Sequence, residues 1–403
     1  MTVVIIGGGA AGFFAAIACA EENPSCHIVI LEKTERLLAK VRVSGGGRCN
    51  VTNACFDPSA LVKHYPRGGK ALRGPFSKFQ PRDMMCWLEE RGVPLKTERE
   101  GRVFPASDRS DDIVACLVEE AKRRGIEITT GANVMGVEPS EGGFAVAVAG
   151  REPIRCDRVL ATVGGGSVDA YRWLGALGHT IVAPIPSLFT FNIPSSPLLD
   201  LSGTAVDGVR LKIAGTAIEQ TGSLLITHWG FSGPVALKLS SWGARILHDS
   251  DYNATIVVSW LPRYNEETLF AHLLEVKNRT SARMVFSSSP FTLPTKLWQR
   301  LITLAEIEDD LRWRDVSNKK LRTLSALLTA HRFDIGGKAV AKEEFVTCGG
   351  VALDEVNFKT MESKVVPGLY FAGEVLDIDG ETGGYNLQNA WTTAWVAGKA
   401  LAR

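Results

Sequence analysis

The first thirty-two residues constrain this chain most. Met1–Ile6 reads as a short buried strand, Gly7-Gly8-Gly9-Ala10-Ala11-Gly12 as a tight loop, and the run from about Phe13 to Ala20 as an apolar helix. His27–Glu32 follows as a second strand that ends in a carboxylate. Strand, crossover helix and strand in this order predict a parallel sheet with helices on its faces, an α/β class. Gly7, Gly9 and Gly12 fit G-x-G-x-x-G, and Glu32 stands twenty residues beyond Gly12. That is the spacing of a dinucleotide site. Gly7 permits the turn, Gly9 lets a pyrophosphate approach the backbone, and Gly12 lets the helix pack on the strand. Ala10 and Ala11 offer N–H groups at the positive end of the helix. Glu32, with Lys33 beside it, can accept from a ribose diol and would repel a 2′-phosphate. A glycine-rich turn that binds nothing would leave Glu32 unexplained.

Composition narrows the class. The first charge is Glu21 and glycines interrupt the apolar start, so a signal peptide is not expected. No other apolar run is long enough to span a membrane. A net charge of +1 argues against a polyanion held by bulk charge, so the expected partner is a small-molecule substrate rather than nucleic acid or membrane. The eight cysteines form no C-x-x-C pair and no zinc spacing. They read as reduced thiols of a cytoplasmic protein without a metal. Oligomeric state is open.

Along the chain, residues 83–92 and 110–125 read as amphipathic helices. Ile126–Thr130, Ala132–Glu138, Phe144–Ala149 and Cys156–Val163 read as strands. After Pro184 and Pro186 the pattern changes. Leu188–Ile193, Val209–Ala214, Ser223–Thr227 and Ala254–Trp260 are strand-like, then Glu266–Lys277, Lys296–Ile307 and Lys319–His331 are helical. Strand character returns at Arg332–Ile335 and Phe345–Leu353. Gly368–Ala372, a glycine-rich loop and a helix from about Asn386 to Leu401 close the chain. The expected organisation is a discontinuous dinucleotide domain, 1–187 and 344–403, around an insert at 188–343. The insert divides into a β-rich part (188–263), a helical part (264–331) and a return strand (332–343).

Three further segments look like cofactor-contacting loops. In Lys40–Asn53, three glycines (Gly45, Gly46, Gly47) behind an expected short strand expose N–H groups to anionic oxygen. Ser44 and Asn50 flank them, and Arg48 could complement a phosphate or hold a flavin carbonyl. In Val159–Gly166, Thr162 and Gly164 mark a strand-to-loop crossing like that of two-dinucleotide flavoproteins. In Gly368–Trp391, Gly373 and Glu374 sit at a strand end, where the carboxylate can bind a ribityl hydroxyl. Gly384, Tyr385, Asn386 and Leu387 open the last helix, whose N-terminus can stabilise charge on a reduced flavin. Val134 is grouped with these cofactor positions. The alternative for Glu374, Asp377, Asp379 and Glu381 is a solvated acidic loop.

Lys40–Asn53, Gly101–Pro105, Thr227–Pro234 and Gly349–Gln388 together resemble the BaiN/RdsA-type family of NAD(P)/FAD-dependent oxidoreductases, some members of which are labelled aminoacetone oxidase-like. The resemblance covers nearly the whole chain. It implies a glutathione-reductase-type, Rossmann-like FAD domain and an inserted β-rich, barrel-like domain carrying a small helical subdomain. It also implies bound FAD, and it says little about substrate. Many members have Gly-Arg-Lys where this chain has Leu38-Ala39-Lys40, so only Lys40 carries over.

Only one complete dinucleotide fingerprint is present, so NAD(P)H is expected to dock transiently if it is the donor. Cys49 and Cys55 enclose five residues, unlike flavin disulfide reductases. Cys49 reads as a packed thiol in the loop against FAD, the alternative being a thiol whose pKa is lowered by the neighbouring Arg48. Residues 63–82 hold Lys63, Arg67, Lys70, Arg73, Lys78 and Arg82 without an acid. Such a stretch can bind an anionic substrate, a nucleotide phosphate or RNA, or be a solvated loop over the cofactor. The expected function is an FAD-dependent oxidoreductase acting on a small organic substrate or oxygen, with Tyr385, Glu381 and His228 as catalytic candidates. An RNA-linked flavoprotein and a non-catalytic FAD-binding protein are the alternatives.

Overall fold

A computed structural model describes residues 1–337 and 346–403. The chain divides into two compact units, Met1–Ser187 with Phe345–Arg403, and Leu188–Glu344. The expected end of the return strand, its boundary with the last segment and the start of Phe345–Leu353 lie outside the described residues.

The first unit is built on β1 (Thr2–Ile6), β2 (His27–Leu31), β3 (Glu127–Thr129), β4 (Arg158–Ala161) and β5 (Leu369–Phe371). These pair in parallel in the order β5-β4-β1-β2-β3, and two short antiparallel strands extend the β5 edge. Strand order reverses at β1, which has β2 on one side and β4 on the other. In such sheets the crevice beyond the strands' carboxyl ends is the ligand site. α1 (Ala10–Glu22) is buried from Ala11 to Ala20, because it lies between this sheet and the last helix, α4 (Tyr385–Leu401). A side chain at Gly398 would meet the Ala15 carbonyl oxygen at 2.4 Å, so the two helices touch backbone to backbone. Arg158 donates to the Ala400 and Leu401 carbonyls, placing a cation at the negative end of α4.

The strand expected over Cys156–Val163 is broken at Asp157. Ile154–Cys156 belongs to a separate three-stranded antiparallel sheet, whereas β4 belongs to the parallel one. The Asp157 carboxylate accepts from the Thr2 N–H at 2.5 Å, and the Asp157 N–H donates to the Thr2 carbonyl at 2.9 Å. The expected short strand before Gly45 is instead a helix, α2 (Ala39–Val43). The stretch 63–82 is not a solvated loop. It forms a 3-10 turn at Val62–His64, then α3 (Gly69–Phe76), then the first turn of the helix Pro81–Glu89. Tyr65, Leu72, Phe76 and Phe79 are buried and anchor it.

In the second unit, six antiparallel strands run in the order 191–192, 230–232, 219–227, 205–213, 253–259 and 331–336. Asn192 joins the two edges, since its N–H donates to the Gly337 carbonyl at 3.2 Å and its side chain to the Gly336 carbonyl at 3.1 Å. The sheet thereby closes nearly into a barrel. Of the expected strand Leu188–Ile193, only Phe191–Asn192 pairs. The helix Pro234–Asp249 has no counterpart in the strand-like reading of 188–263. It starts with proline at its first position, a helix-opening signal, and buries Val235, Ala236, Leu239, Gly243 and Leu247 on one stripe. Three further helices follow at Glu266–Arg279, Thr295–Leu304 and Asn318–Ala330. Among the described residues no helix is long and apolar enough to cross a membrane.

Candidate active site

The parallel strands carry four sequence-expected segments to one edge of the sheet. Gly7–Gly12 follows β1, Glu32 follows β2, Thr162–Gly164 follows β4, and Gly373–Glu374 lies just past β5. The glycines of the first loop obey different constraints. A side chain at Gly12 would meet the Gly7 carbonyl oxygen at 1.9 Å, and one at Gly7 the Thr162 carbonyl oxygen at 2.4 Å. A side chain at Gly9 meets nothing within 4 Å. Gly7 has φ +116°, and Thr162 Oγ1 donates to the Ile6 and Gly7 carbonyls at 3.0 and 2.9 Å, holding the turn. No side chain caps α1 and no acid lies in its first turn, so the N–H groups around Ala10 and Ala11 point toward an open cradle.

Glu32 accepts from the Gly8 N–H at 2.8 Å and from the Thr34 N–H and hydroxyl, each at 2.9 Å. A carboxylate offers about four lone-pair positions, so one remains for a hydroxyl ligand. Lys33 is exposed and pairs with Asp169 at 3.3 Å. Glu374 accepts from the Thr347 N–H at 2.8 Å and from Lys40, so both of its oxygens have partners within the protein. Gly164 has φ +76°, and Gly373 has φ +78° with Ala11 beneath it. Val134 is buried in an adjoining antiparallel strand.

The Ser44–Asn50 loop is glycine-rich at its tip and tied into the protein after it. Gly45, Gly46 and Gly47 have φ of +60°, +72° and +87°, and open space surrounds the last two. Arg48, however, is engaged within the protein. It pairs with Glu98 at 2.7 Å and Asp108 at 3.4 Å and stacks on Phe104 at 4.0 Å. The Cys49 thiol is raised, not lowered. Burial pushes it up to about 12, outweighing a hydrogen bond with Ser44, so it is a packed thiol. None of the eight cysteines is in a disulfide bond. Swapping the Asn50 amide oxygen and nitrogen satisfies both groups: the nitrogen then donates to the Thr52 and Val103 carbonyls and the oxygen accepts from the Gly384 N–H at 3.0 Å, tying this loop to the start of α4. Leu38 is buried with φ +57°, a left-handed conformation at the position where many family members have glycine.

The acidic loop is not solvated. Asp379 is fully buried and Glu381 nearly so. Asp379 takes both arms of Arg67 and the Ser187 hydroxyl. Burial opposes the Arg67 charge, yet Asp379 holds that guanidinium above its ordinary range. His64 Nδ1 lies 3.2 Å from a Glu381 oxygen, and its ring stacks on Tyr385 with centroids 4.4 Å apart at 11°. The Tyr65 hydroxyl donates to the Tyr385 carbonyl at 2.6 Å. Asn386 clamps the loop by bonding both the N–H and the carbonyl of Gly380 at 2.8 Å. Burial raises the Tyr385 phenol, which therefore stays protonated at neutral pH. His64 and Tyr65 were absent from the sequence-derived candidates, and Arg67 and Asp379 were named there only as members of a basic stretch and an acidic loop. The one available signal was complementarity between an acid-free basic stretch and a loop of three closely spaced acids. His228 lies in the second unit, exposed on the hairpin between strands 219–227 and 230–232, with its ring against Trp229 at 4.1 Å. Leu387 is half-buried in the first turn of α4.

The residues present fit FAD. An uncapped helix start faces a glycine cradle that a methyl group would begin to fill, and a carboxylate stands at the end of β2. A family model described as HI0933-like protein Rossmann domain matches residues 1–400. A 3-dehydro-bile acid delta(4,6)-reductase of Clostridium scindens is 29% identical over 419 residues, covering 99% of this chain and 98% of that protein. A ribosomal RNA dihydrouridine synthase of Escherichia coli is 29% identical over 409 residues, covering 99% and 97%. Among solved structures, 3-ketosteroid delta1-dehydrogenase from Sterolibacterium denitrificans superposes with a TM-score of 0.53 at 11% identity, covering 100% of this chain and 99% of that one. A 3-ketosteroid-delta4-(5alpha)-dehydrogenase from Rhodococcus jostii gives 0.52 at 15% identity, covering 100% and 96%. These two likenesses establish the fold. The chain belongs to the HI0933-like Rossmann-domain family and is an FAD-dependent oxidoreductase.

Proposed function

We propose that this enzyme reduces a carbon–carbon double bond conjugated to a carbonyl in a small organic acceptor, using electrons that NAD(P)H delivers through FAD while docked transiently. The observation that carries this reading is the cluster at the start of α4. There Glu381, Tyr385 and His64 bring proton-carrying side chains together beside Gly383 and Gly384. Reducing such a bond needs a hydride at one carbon and a proton at the other. Bound FAD supplies the hydride chemistry at N5. The names of two relatives point the same way. A Δ4,6 bond in a 3-oxo steroid and the uridine bond lost in dihydrouridine are both conjugated to carbonyls.

On this reading Gly7, Gly9, Ala10, Ala11 and Gly12 receive the pyrophosphate, and Glu32 and Lys33 the adenosine ribose. Lys40, Ser44, Gly45, Gly46 and Gly47 line the flavin side, with Val134, Thr162 and Gly164 supporting the adenine and crossing segments. Gly373 and Glu374 reach the ribityl chain, while Gly384, Tyr385, Asn386 and Leu387 present the α4 N-terminus. Arg48, Cys49 and Asn50 shape the loop. Tyr385 and Glu381 act at the reacting face, and His228 is a third candidate.

Anaerobic titration with NADH and NADPH, followed by conjugated enones, tests the proposal. Bleaching of the flavin by a nicotinamide and its recovery with an enone are expected. A flavin that both nicotinamides leave oxidised overturns the donor assignment. Glu32→Ala is expected to weaken FAD retention at least about tenfold, and unchanged flavin content would remove the ribose assignment. A second reading places the acceptor in RNA, favoured by the exposed cations Lys63, Lys70, Arg73, Lys78 and Arg82. RNA affinity that falls steeply with salt would support it, and no binding at low salt would exclude it.

A further inference from the structure

We infer that His64 is the proton donor to the acceptor and that Glu381 positions it. The inference rests on the proposed reduction of a conjugated double bond and adds the group that completes it. Two contacts fix the His64 ring and a third holds its backbone. One face lies on Tyr385, at 4.4 Å and 11°. Nδ1 is bound to Glu381, whose side chain is only 7% exposed while that of His64 is 35% exposed. The backbone N–H of Glu381 donates to the His64 carbonyl at 2.9 Å. Tyr65 then locks Tyr385 from below through the Tyr385 carbonyl. With Nδ1 committed to a buried carboxylate, the ring is held in one orientation and Nε2 is the nitrogen left to offer a proton to an acceptor. Tyr385 is less suited to this role, because burial strengthens its hold on its proton. Glu381 is nearly enclosed and contacts the more exposed His64 ring.

The step balances as follows. The β-carbon of the acceptor receives a hydride from the reduced cofactor, and the π pair of the C=C bond moves onto the α-carbon. The α-carbon takes the proton from Nε2 of His64, leaving a neutral imidazole that regains a proton from solvent at its exposed edge. The acceptor gains two hydrogens, and NAD(P)H is the ultimate reductant.

The test compares wild type with His64→Gln and His64→Phe, the second of which retains an aromatic face for Tyr385. FAD content is measured first. Equilibrium binding of para-chlorophenol, whose phenolate mimics the enolate, is a readout that needs no turnover. Both variants are expected to keep FAD, to bind the phenol at least about 10-fold more weakly, and to be reoxidised by an enone about 100-fold more slowly. Reoxidation by ferricyanide, which takes electrons without a proton, stays within twofold of wild type. Glu381→Gln slows the enone step in the wild-type background but adds nothing to His64→Phe, as expected of a residue acting through another. Unchanged enone rates and phenol binding in both variants overturn the inference. So does equal slowing with enone and ferricyanide, or loss of FAD from both, which mark a structural role. If reduced wild type recovers with ferricyanide but with no conjugated enone, the parent reading falls, and this one with it.

Discussion

Gly9 and Gly12 stand three residues apart and answer to different forces. Gly12 is required by packing, because a methyl there would sit 1.9 Å from the Gly7 carbonyl oxygen. Gly12→Ala is expected to cost about 3 kcal/mol through overpacking, read as a lower denaturation midpoint with or without FAD. Gly9→Ala meets open space, so the apoprotein should lose no more than about 1 kcal/mol at this helix N-cap. FAD affinity should nonetheless drop, because the methyl enters the cradle. Equal effects of the two on apoprotein stability would contradict this division. His331 makes a different residue-scale prediction. It is buried in the second unit, and Nδ1 has no hydrogen-bond partner among the described residues. Burial lowers its pKa from 6.5 to about 4. The unfolded chain therefore binds the proton more readily than the folded one between these values. Stability is fully present above the unfolded value and is lost as pH falls toward the folded one. The expected loss between pH 7 and pH 5 is about 2 kcal/mol, and His331→Leu should flatten that slope in denaturant titrations.

At the level of elements, the informative contact joins the turn before α3 to the loop before α4. Arg67 and Asp379 form a backbone bridge as well as their ion pair, so one buried pair holds two loops in register. Removing one partner leaves the other charge buried. Asp379→Ala should cost about 3–5 kcal/mol and loosen the His64–Glu381–Tyr385 cluster, seen as a lower melting temperature and faster hydrogen exchange at 62–67. A melting temperature unchanged from wild type would mean the pair contributes nothing to holding the loops. The basic stretch illustrates how elements escape a linear reading. Its cations suggest a surface loop, but Tyr65, Leu72, Phe76 and Phe79 recur at helical spacing and decide its conformation by burial. The helix Pro234–Asp249 escaped for the opposite reason. Its Ser-Gly-Pro start reads as punctuation, although proline is well suited to the first turn of a helix.

At the level of the whole molecule, each unit has its own hydrophobic core. One runs from Val3 to Ala402 around the parallel sheet, and the other from Phe189 to Ile335 inside the barrel-like sheet. Calorimetry should therefore resolve two transitions. Saturating FAD should raise the transition of the first unit, by mass action on its folded state, and lowering pH from 7 to 5 should depress that of the second through His331. A single transition that FAD and pH move together would overturn this assignment.

The N-terminal βαβ unit was legible because every cause in it is local. Alternation, glycine spacing and a carboxylate at a strand end lie within thirty-two residues. The same holds for Gly373-Glu374 at a strand end and for the helices Glu266–Arg279, Thr295–Leu304 and Asn318–Ala330, whose periodicity places them within a few residues of their observed ends. What only the tertiary structure decided depends on partners far apart in sequence. Arg48 reads in sequence as a partner for a phosphate or a flavin carbonyl, and its ion pairs with Glu98 and Asp108 appear only in the fold. Cys49 has an arginine beside it in sequence, and it is burial that decides between an activated and a packed thiol. His64 carries no motif, and its position against Glu381 and Tyr385, more than three hundred residues away, exists only once the parallel sheet has closed around β1. Short-range steric and periodic effects are written in the order of residues, whereas charge pairing and desolvation are set by neighbours that folding supplies.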